Sequence, residues 1–408
     1  MNKATVLAQI DNLSQEMVDA LMSLIRIPAV APENGGDGEE QKAQCLIQIL
    51  ESIGFDKIER YDAADERVSG GLRPNIVAYF DGFSDERRLW IVTHFDVVPP
   101  GRLDMWTVTE PFNPVVVNGC VFGRGSEDNG QSLVASVFAL KALKLLGVRP
   151  SITVGLVFVA DEEQGSKYGI QHLLDLGLFR QGDLVVVPDG GVEDGSFIEV
   201  AEKSILWFKL CVWGRQAHGS RPCDGLNAHR AGMQVVLALD KMLHRKYSKR
   251  DLWFDVPTST FEPTQKDSNV EAVNIIPGED VTYFDCRILP LYNVDTVLSD
   301  INIFLDSYAK KTGLKIDLEV LQKKVSPMLE VASSEIVLML KGALKEVRDI
   351  DATVGGVGGG SCAAFFREQG IQAVVWSTIN WMAHQPNEYA QISNMVQDAK
   401  IFALLAMG

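Results

Sequence analysis

The chain reads as an α/β protein: a mixed-sheet domain with helices on both faces, interrupted by a smaller βαββαβ unit of ferredoxin-like order. Three observations predict this. Nearly continuous apolar strand runs alternate with helix-period segments through the first half, as in a sheet buried on both faces. After about Glu199 the rhythm changes to β-α-β-β-α-β. Finally, 408 residues are long for one core. The expected division is a first domain in two parts, 1–199 and 325–408, with 200–324 inserted between them.

Residues 4–26 and 38–53 carry helical spacing, separated by the turn-rich Pro32-Glu33-Asn34-Gly35-Gly36. Strands are predicted at 75–80 and 89–93, a helix at 133–146 stopped by Gly147, and a strand at 152–160. A helix over 165–176 and a strand over 184–187 complete the first part. In the insertion the expected elements are strand 203–213, helix 226–245, strands 270–276 and 280–288, helix 294–311 and strand 315–321. The first domain then resumes with a helix at 333–347, a Gly-rich loop and a strand at 372–377.

Composition narrows the function classes. The chain is 46% hydrophobic and 23% charged, with 38 Lys plus Arg against 54 Asp plus Glu and a net charge of −16. Such an excess repels phosphate backbones and anionic lipid, so no nucleic acid and no membrane partner is expected. No apolar run approaches the roughly 20 residues of a bilayer span, and no signal-peptide pattern is expected at the N-terminus. Cys45, Cys120, Cys211, Cys223, Cys286 and Cys362 form no C-x-x-C pair. They read as thiols in a reducing, cytoplasmic setting.

Five motifs carry the chemistry: Thr93-His94-Phe95-Asp96, Gly125-Ser126-Glu127-Asp128, Asp161-Glu162-Glu163, Pro188-Asp189-Gly190-Gly191 and His384-Gln385-Pro386-Asn387-Glu388. Together they offer two imidazoles and several carboxylates, the ligand mixture of a pair of divalent ions. Three follow apolar strand runs, and ligands of open α/β sheets bind outside the carboxyl ends of strands. His94 and Asp96 share one side of a strand; the bland alternative is an edge histidine beside a turn aspartate. Asp128 suits a carboxylate shared by two cations, or simply a helix N-cap. Three adjacent acids at 161–163 belong in solvent unless cations meet them. Adjacent strand residues face opposite ways, so one of Glu162 and Glu163 can ligate while the other deprotonates a water. His218 also sits in a functional-looking motif, whereas His172, His229 and His244 fit helical patterns and read as structural.

At these residues, over about 10–405, the chain resembles the di-zinc metallopeptidases and deacylases that include succinyl-diaminopimelate desuccinylase, acetylornithine deacetylase and aminoacylase. The resemblance implies a zinc held by His94 and Asp189, another by Glu163 and His384, and Asp128 bridging. It makes Asp96 the orienter of His94 and Glu162 the general base. It makes the insertion a lid through which the chain forms a homodimer, with His218 reaching the neighbouring subunit's site. Asn274 would bind substrate through its amide, and Arg287, with the backbone near Gly359 and Gly360, would bind a substrate carboxylate. Two features depart from the pattern. Desuccinylases and acetylornithine deacetylases usually carry Asp-Gly-Arg after their Gly-Gly-Thr-Ser turn, whereas this chain has Gly358-Gly359-Gly360-Ser361-Cys362-Ala363-Ala364-Phe365. Asp189 stands where several relatives use Glu.

The expectation is a hydrolase using two divalent ions, zinc first with cobalt or manganese as alternatives. It would cut an amide bond in an N-acyl amino acid. The rival within the class is a metallo-dipeptidase or carboxypeptidase acting on a short peptide with a free carboxylate. A metal-binding scaffold without catalysis would have lost Glu162 or Asp96, and both are present. A nucleotide-dependent ligase would need Lys-Ser/Thr after the Gly-rich loop, and none follows.

Overall fold

The computed structural model describes residues 2–328 and 334–408. They form two compact units. The first comprises the chain up to Val200, the returning chain up to Val354, and Ser361–Gly408; the second comprises Ala201–Met328 and Gly355–Gly360.

The first unit opens with α1 (Lys3–Asn12) and α2 (Ser14–Ile25), where the sequence predicts one helix over 4–26. Leu13 turns out of line between them, at φ −89° and ψ 0°. Then come α3 (Glu40–Ile53), β1 (Lys57–Arg60), β2 (Ile76–Phe80), β3 (Ser84–His94), α4 (Ser132–Leu145), β4 (Ile152–Val159), β5 (Leu184–Val192) and β6 (Phe197–Glu202). The helix expected over 165–176 is confined to Ile170–Asp175, because the chain first makes a 3-10 turn at Glu162–Gln164.

The second unit contains β7 (Ser204–Trp213), α5 (Ala228–Lys246), β8 (Thr260–Lys266), β9 (Glu279–Ile288), α6 (Val294–Thr312) and β10 (Lys315–Lys324). Its sheet runs β8-β9-β7-β10 with antiparallel pairings, the ferredoxin-like arrangement. Leu206, Phe208, Leu210 and Val212 of β7 bury one face against Val235, Leu239 and Leu243 of α5 and Ile301 and Leu305 of α6. The strand predicted at 270–276 is a correction. Only Ile275–Ile276 is extended, paired with Ala217–His218, and the second strand of the sheet is β8 instead. β8 hides from sequence patterning because only Phe261 in it is buried and Pro263 interrupts it. Pro is tolerated there because β8 is an edge strand.

The first unit resumes with α7 (Glu335–Arg348), β11 (Thr353–Val357), β12 (Gln372–Thr378) and α8 (Ile392–Met407). Its eight-stranded sheet has the order β1-β2-β4-β3-β5-β12-β6-β11. β6 and β11 continue past Val200 and Val354 into the second unit. The strands β4, β3, β5 and β12 are mutually parallel, and β1, β2 and β6 pair antiparallel. Period-two alternation builds two cores from the same strands. Leu89 and Ile91 of β3 join Leu156 and Phe158 of β4 on the face covered by α2, α4 and α8. Trp90 and Val92 join Val157 and Val159 on the other face, with Leu173 and Phe366. The continuous apolar runs in the sequence are therefore two alternating sets.

Among the described residues no helix is long and apolar enough to cross a membrane. All six cysteines are free thiols.

Candidate metal centre

Because β4, β3, β5 and β12 are parallel, their carboxyl ends lie along one edge of the sheet, and each delivers a motif there. His94 is the last residue of β3. Two residues past β4, Asp161 has a left-handed backbone (φ 63°) and leads into the 3-10 turn that carries Glu162 and Glu163. The two glutamates thus diverge within one turn, not by the strand alternation that the sequence suggests. Asp189 lies inside β5, two residues before Gly191, where the sequence places it after the strand. A Cβ on Gly191 would fall 2.0 Å from the Ser377 carbonyl of β12, so the close approach of these strands requires glycine. His384 follows β12, and Asp128 comes from the irregular turn Ser126–Gln131 before α4.

Asp128 stands between the two imidazoles. Its Oδ1 is 2.8 Å from His94 Nε2 and its Oδ2 is 3.2 Å from His384 Nε2. Asp189 Oδ1 is 3.5 Å from His94 Nε2, and Glu163 Oε2 is 3.0 Å from His384 Nε2. Two groups of ligand atoms each gather within 4.8 Å: His94, Glu162 and Asp189, and Asp128, Glu163 and His384. Glu162 is approached by the thiol of Cys362, whose sulfur lies 3.9 Å from Oε1. His94 Nδ1 lies 3.1 Å from the backbone carbonyl of Asp96 and 3.4 Å from its Oδ1. The Asp96 carboxylate accepts the backbone N–H groups of Glu162 and Glu163, both at 3.1 Å.

The electrostatics ask for cations. Burial, reinforced by the Asp189 charge, pushes Glu162 well above the carboxylate range. Burial likewise raises Glu163 and Asp189. Burial opposes a charged His94, yet the Asp189, Asp128 and Asp96 carboxylates outweigh it and raise its pKa. Hydrogen bonds to Asp128 and Glu163 raise His384 to about 10. Crowded buried carboxylates of this kind are compensated by metal ions. A set of imidazole nitrogens and carboxylate oxygens suits zinc, cobalt or manganese, and these residues fit such ions.

The remaining site residues predicted from the sequence belong to the second unit, where they form two local groups. His218 pairs with Ile275 across two short strands, and the Gly219 N–H donates to the Asn274 carbonyl at 2.6 Å. His218 Nδ1 accepts the Ser220 N–H at 3.1 Å, which leaves the proton of the neutral ring on Nε2. Arg287 donates to both Asp285 oxygens, at 2.7 and 3.0 Å, and to the Gly358 carbonyl at 3.3 Å, beside exposed Gly359 and Gly360.

Several residues that shape the centre escape sequence reasoning. Asn129 Nδ2 donates to Asp189 Oδ1 at 2.9 Å and to the Pro188 carbonyl at 2.8 Å, fixing that carboxylate. Glu127 and Glu388 hold loop backbones. Their only sequence signal is a place in a motif that also holds a candidate ligand.

The model of peptidase family M20/M25/M40 matches residues 90–408. An uncharacterized metallohydrolase of Methanocaldococcus jannaschii is 38% identical over 407 residues, covering 96% of this chain and 98% of the relative. A succinyl-diaminopimelate desuccinylase of Nitratiruptor sp. is 26% identical over 377 residues, covering 91% of this chain and 94% of the relative. A solved di-peptidase of Saccharomyces cerevisiae has a similar fold: TM-score 0.75, 18% identity, coverage of 100% of this chain and 98% of that one.

Proposed function

This chain belongs to peptidase family M20/M25/M40 and is a metal-dependent hydrolase of amide bonds; within that family we propose that it cleaves N-acyl amino acids. One divalent ion would be held by His94 and Asp189 and a second by Glu163 and His384, with Asp128 shared. Zinc is the first choice, with cobalt or manganese as alternatives. The observation that carries this reading is the Asp128 carboxylate, one oxygen toward each imidazole. Ions bound there acidify water and polarise a carbonyl oxygen.

Glu162 takes a proton from the attacking water and returns it to the departing amine nitrogen as the C–N bond breaks and the new C–O bond completes a carboxylic acid. Asp96 keeps His94 oriented and steadies the turn that carries Glu162. Nε2–H of His218, supplied by a second copy of the chain in a homodimer, donates to the carbonyl oxygen. Asn274 adds an amide, and Arg287 with the Gly359 and Gly360 backbone holds the substrate carboxylate.

The desuccinylase relative supports the deacylase reading. A dipeptidase or carboxypeptidase is the second reading. It is favoured by the di-peptidase fold similarity and by Cys362-Ala363-Ala364 at the place of the usual Asp-Gly-Arg. Metal-free protein should be reconstituted with zinc, cobalt or manganese and offered N-succinyl, N-acetyl and N-formyl amino acids beside dipeptides. Deacylation with about two ions per chain is expected. Turnover of dipeptides alone moves the assignment to the second reading, and full turnover by metal-free protein overturns both.

A further inference from the structure

We propose that Glu127 and Glu388 form a reciprocal latch between the Asp128 and His384 loops, and that Glu127 is a positioning residue for the metal ion on the His384 side. The inference rests on the metal ligands proposed above.

Each carboxylate comes from one loop and takes backbone N–H groups from the other. Glu388 Oε1 accepts the N–H of Glu127 at 2.9 Å and of Asp128 at 3.1 Å. Its Oε2 accepts the Gly125 N–H at 3.0 Å and Arg124 Nη1 at 2.6 Å. In return, Glu127 Oε1 accepts the Asn380 N–H at 2.5 Å, and Oε2 accepts those of Met382 at 2.5 Å and Ala383 at 3.1 Å. Both glutamates are buried. Although Glu127 adjoins Asp128, its carboxylate faces the loop that presents His384.

The two imidazoles depend on their backbones differently. His94 ends a central strand, is 2% exposed and has Nδ1 against the Asp96 carbonyl. His384 has a side chain 56% exposed, sits on a loop, and has a left-handed backbone at φ 64°. Trp381, inside the stretch held by Glu127, is left-handed too, at φ 59°. Such conformations are strained for non-glycine residues and persist only where their surroundings enforce them. The Glu127 carboxylate holds the backbone N–H groups of Asn380, Met382 and Ala383 immediately before His384.

The test is calorimetric titration of metal-free protein with zinc ions, repeated with cobalt ions read by absorption. In Glu127→Gln, the ion on the His94 side should bind as in wild type, which also reports a folded chain. The ion on the His384 side should weaken about 10- to 100-fold, as for other groups that orient metal ligands. Glu388→Gln should weaken both ions, because its bracket fixes the shared Asp128. Equal weakening of both ions in Glu127→Gln, or no change in either, overturns the proposal. Hydrogen exchange in metal-free wild type needs no variant. The amides of Asn380, Met382 and Ala383 should exchange slowly for a loop, and exchange at free-loop rates overturns the latch. A wild type that takes up fewer than two ions overturns the metal-pair reading and the affinity claim with it, whereas slow exchange still supports the latch.

Discussion

Glu162 and Glu163 carry the same side chain one residue apart, yet they meet different neighbours. Glu163 faces the His384 imidazole at 3.0 Å, while Glu162 meets the Cys362 thiol, and Asp96 holds both backbone N–H groups. Glu162→Gln should therefore keep both ions and lose turnover by about 10²- to 10⁴-fold, the usual worth of a general base. Glu163→Ala should lose the ion on the His384 side as well as rate, and metal analysis beside kinetics separates the two. The reverse metal contents would mean that the roles are exchanged. A second residue-scale prediction concerns Asp65. Hydrogen bonds from Arg67, at 2.8 Å through both Nε and Nη2, outweigh burial and hold its carboxyl at about 2. The folded pKa lies below the unfolded one. Stability from Asp65 is thus fully present above about 3.9, the unfolded value, and is lost as pH falls through the folded value. Asp65→Asn should melt below wild type near neutral pH, and the gap should narrow steadily as the pH is brought below about 4. A gap independent of pH would assign the effect to shape instead of charge.

Among the elements, the parallel strands β3 and β4 matter most, since they carry His94 and the Glu162–Glu163 turn. Their packing leaves no room at Gly155, where an added Cβ would fall 2.2 Å from the Trp90 ring. Trp90 is fully buried, donates Nε1–H to Asp183 at 2.7 Å and packs edge-on against Phe179. Gly155→Ala should cost about 1–3 kcal/mol, the usual range for overpacking, read as a lower denaturant midpoint with unchanged slope. An unchanged midpoint would show that the indole has space to shift. These strands were legible because a sheet buried on both faces makes every residue apolar. α8 was not, since its residues are buried almost all round and show no amphipathic stripe. Nor was β8, whose Pro263 and exposed side chains describe an edge.

At the scale of the whole molecule, every proposed metal ligand comes from the first unit, while His218, Asn274 and Arg287 come from the second. If His218 acts on a partner's site, Glu162→Ala and His218→Ala chains should complement each other. In the purified mixed dimer one site regains both groups and the other loses both, so about half of wild-type activity should return from two nearly inactive parents. A mixed dimer no more active than its parents would place His218 in its own chain's site.

The sequence by itself determined the α/β architecture and the ferredoxin-like insertion, and its motifs supplied the candidate ligands. Each depends on local signals: a period of two or 3.6, and carboxylates or histidines at the ends of apolar runs. Tertiary structure decided how those ligands are held. Asp128 comes between two imidazoles that are 290 residues apart in the chain (94 and 384) only when β3 and β12 lie in one parallel sheet. The grip of Glu127 on the His384 loop and of Asp96 on the Glu162–Glu163 turn runs through backbone N–H groups. Every non-proline residue has such a group, so no residue type in the sequence marks it.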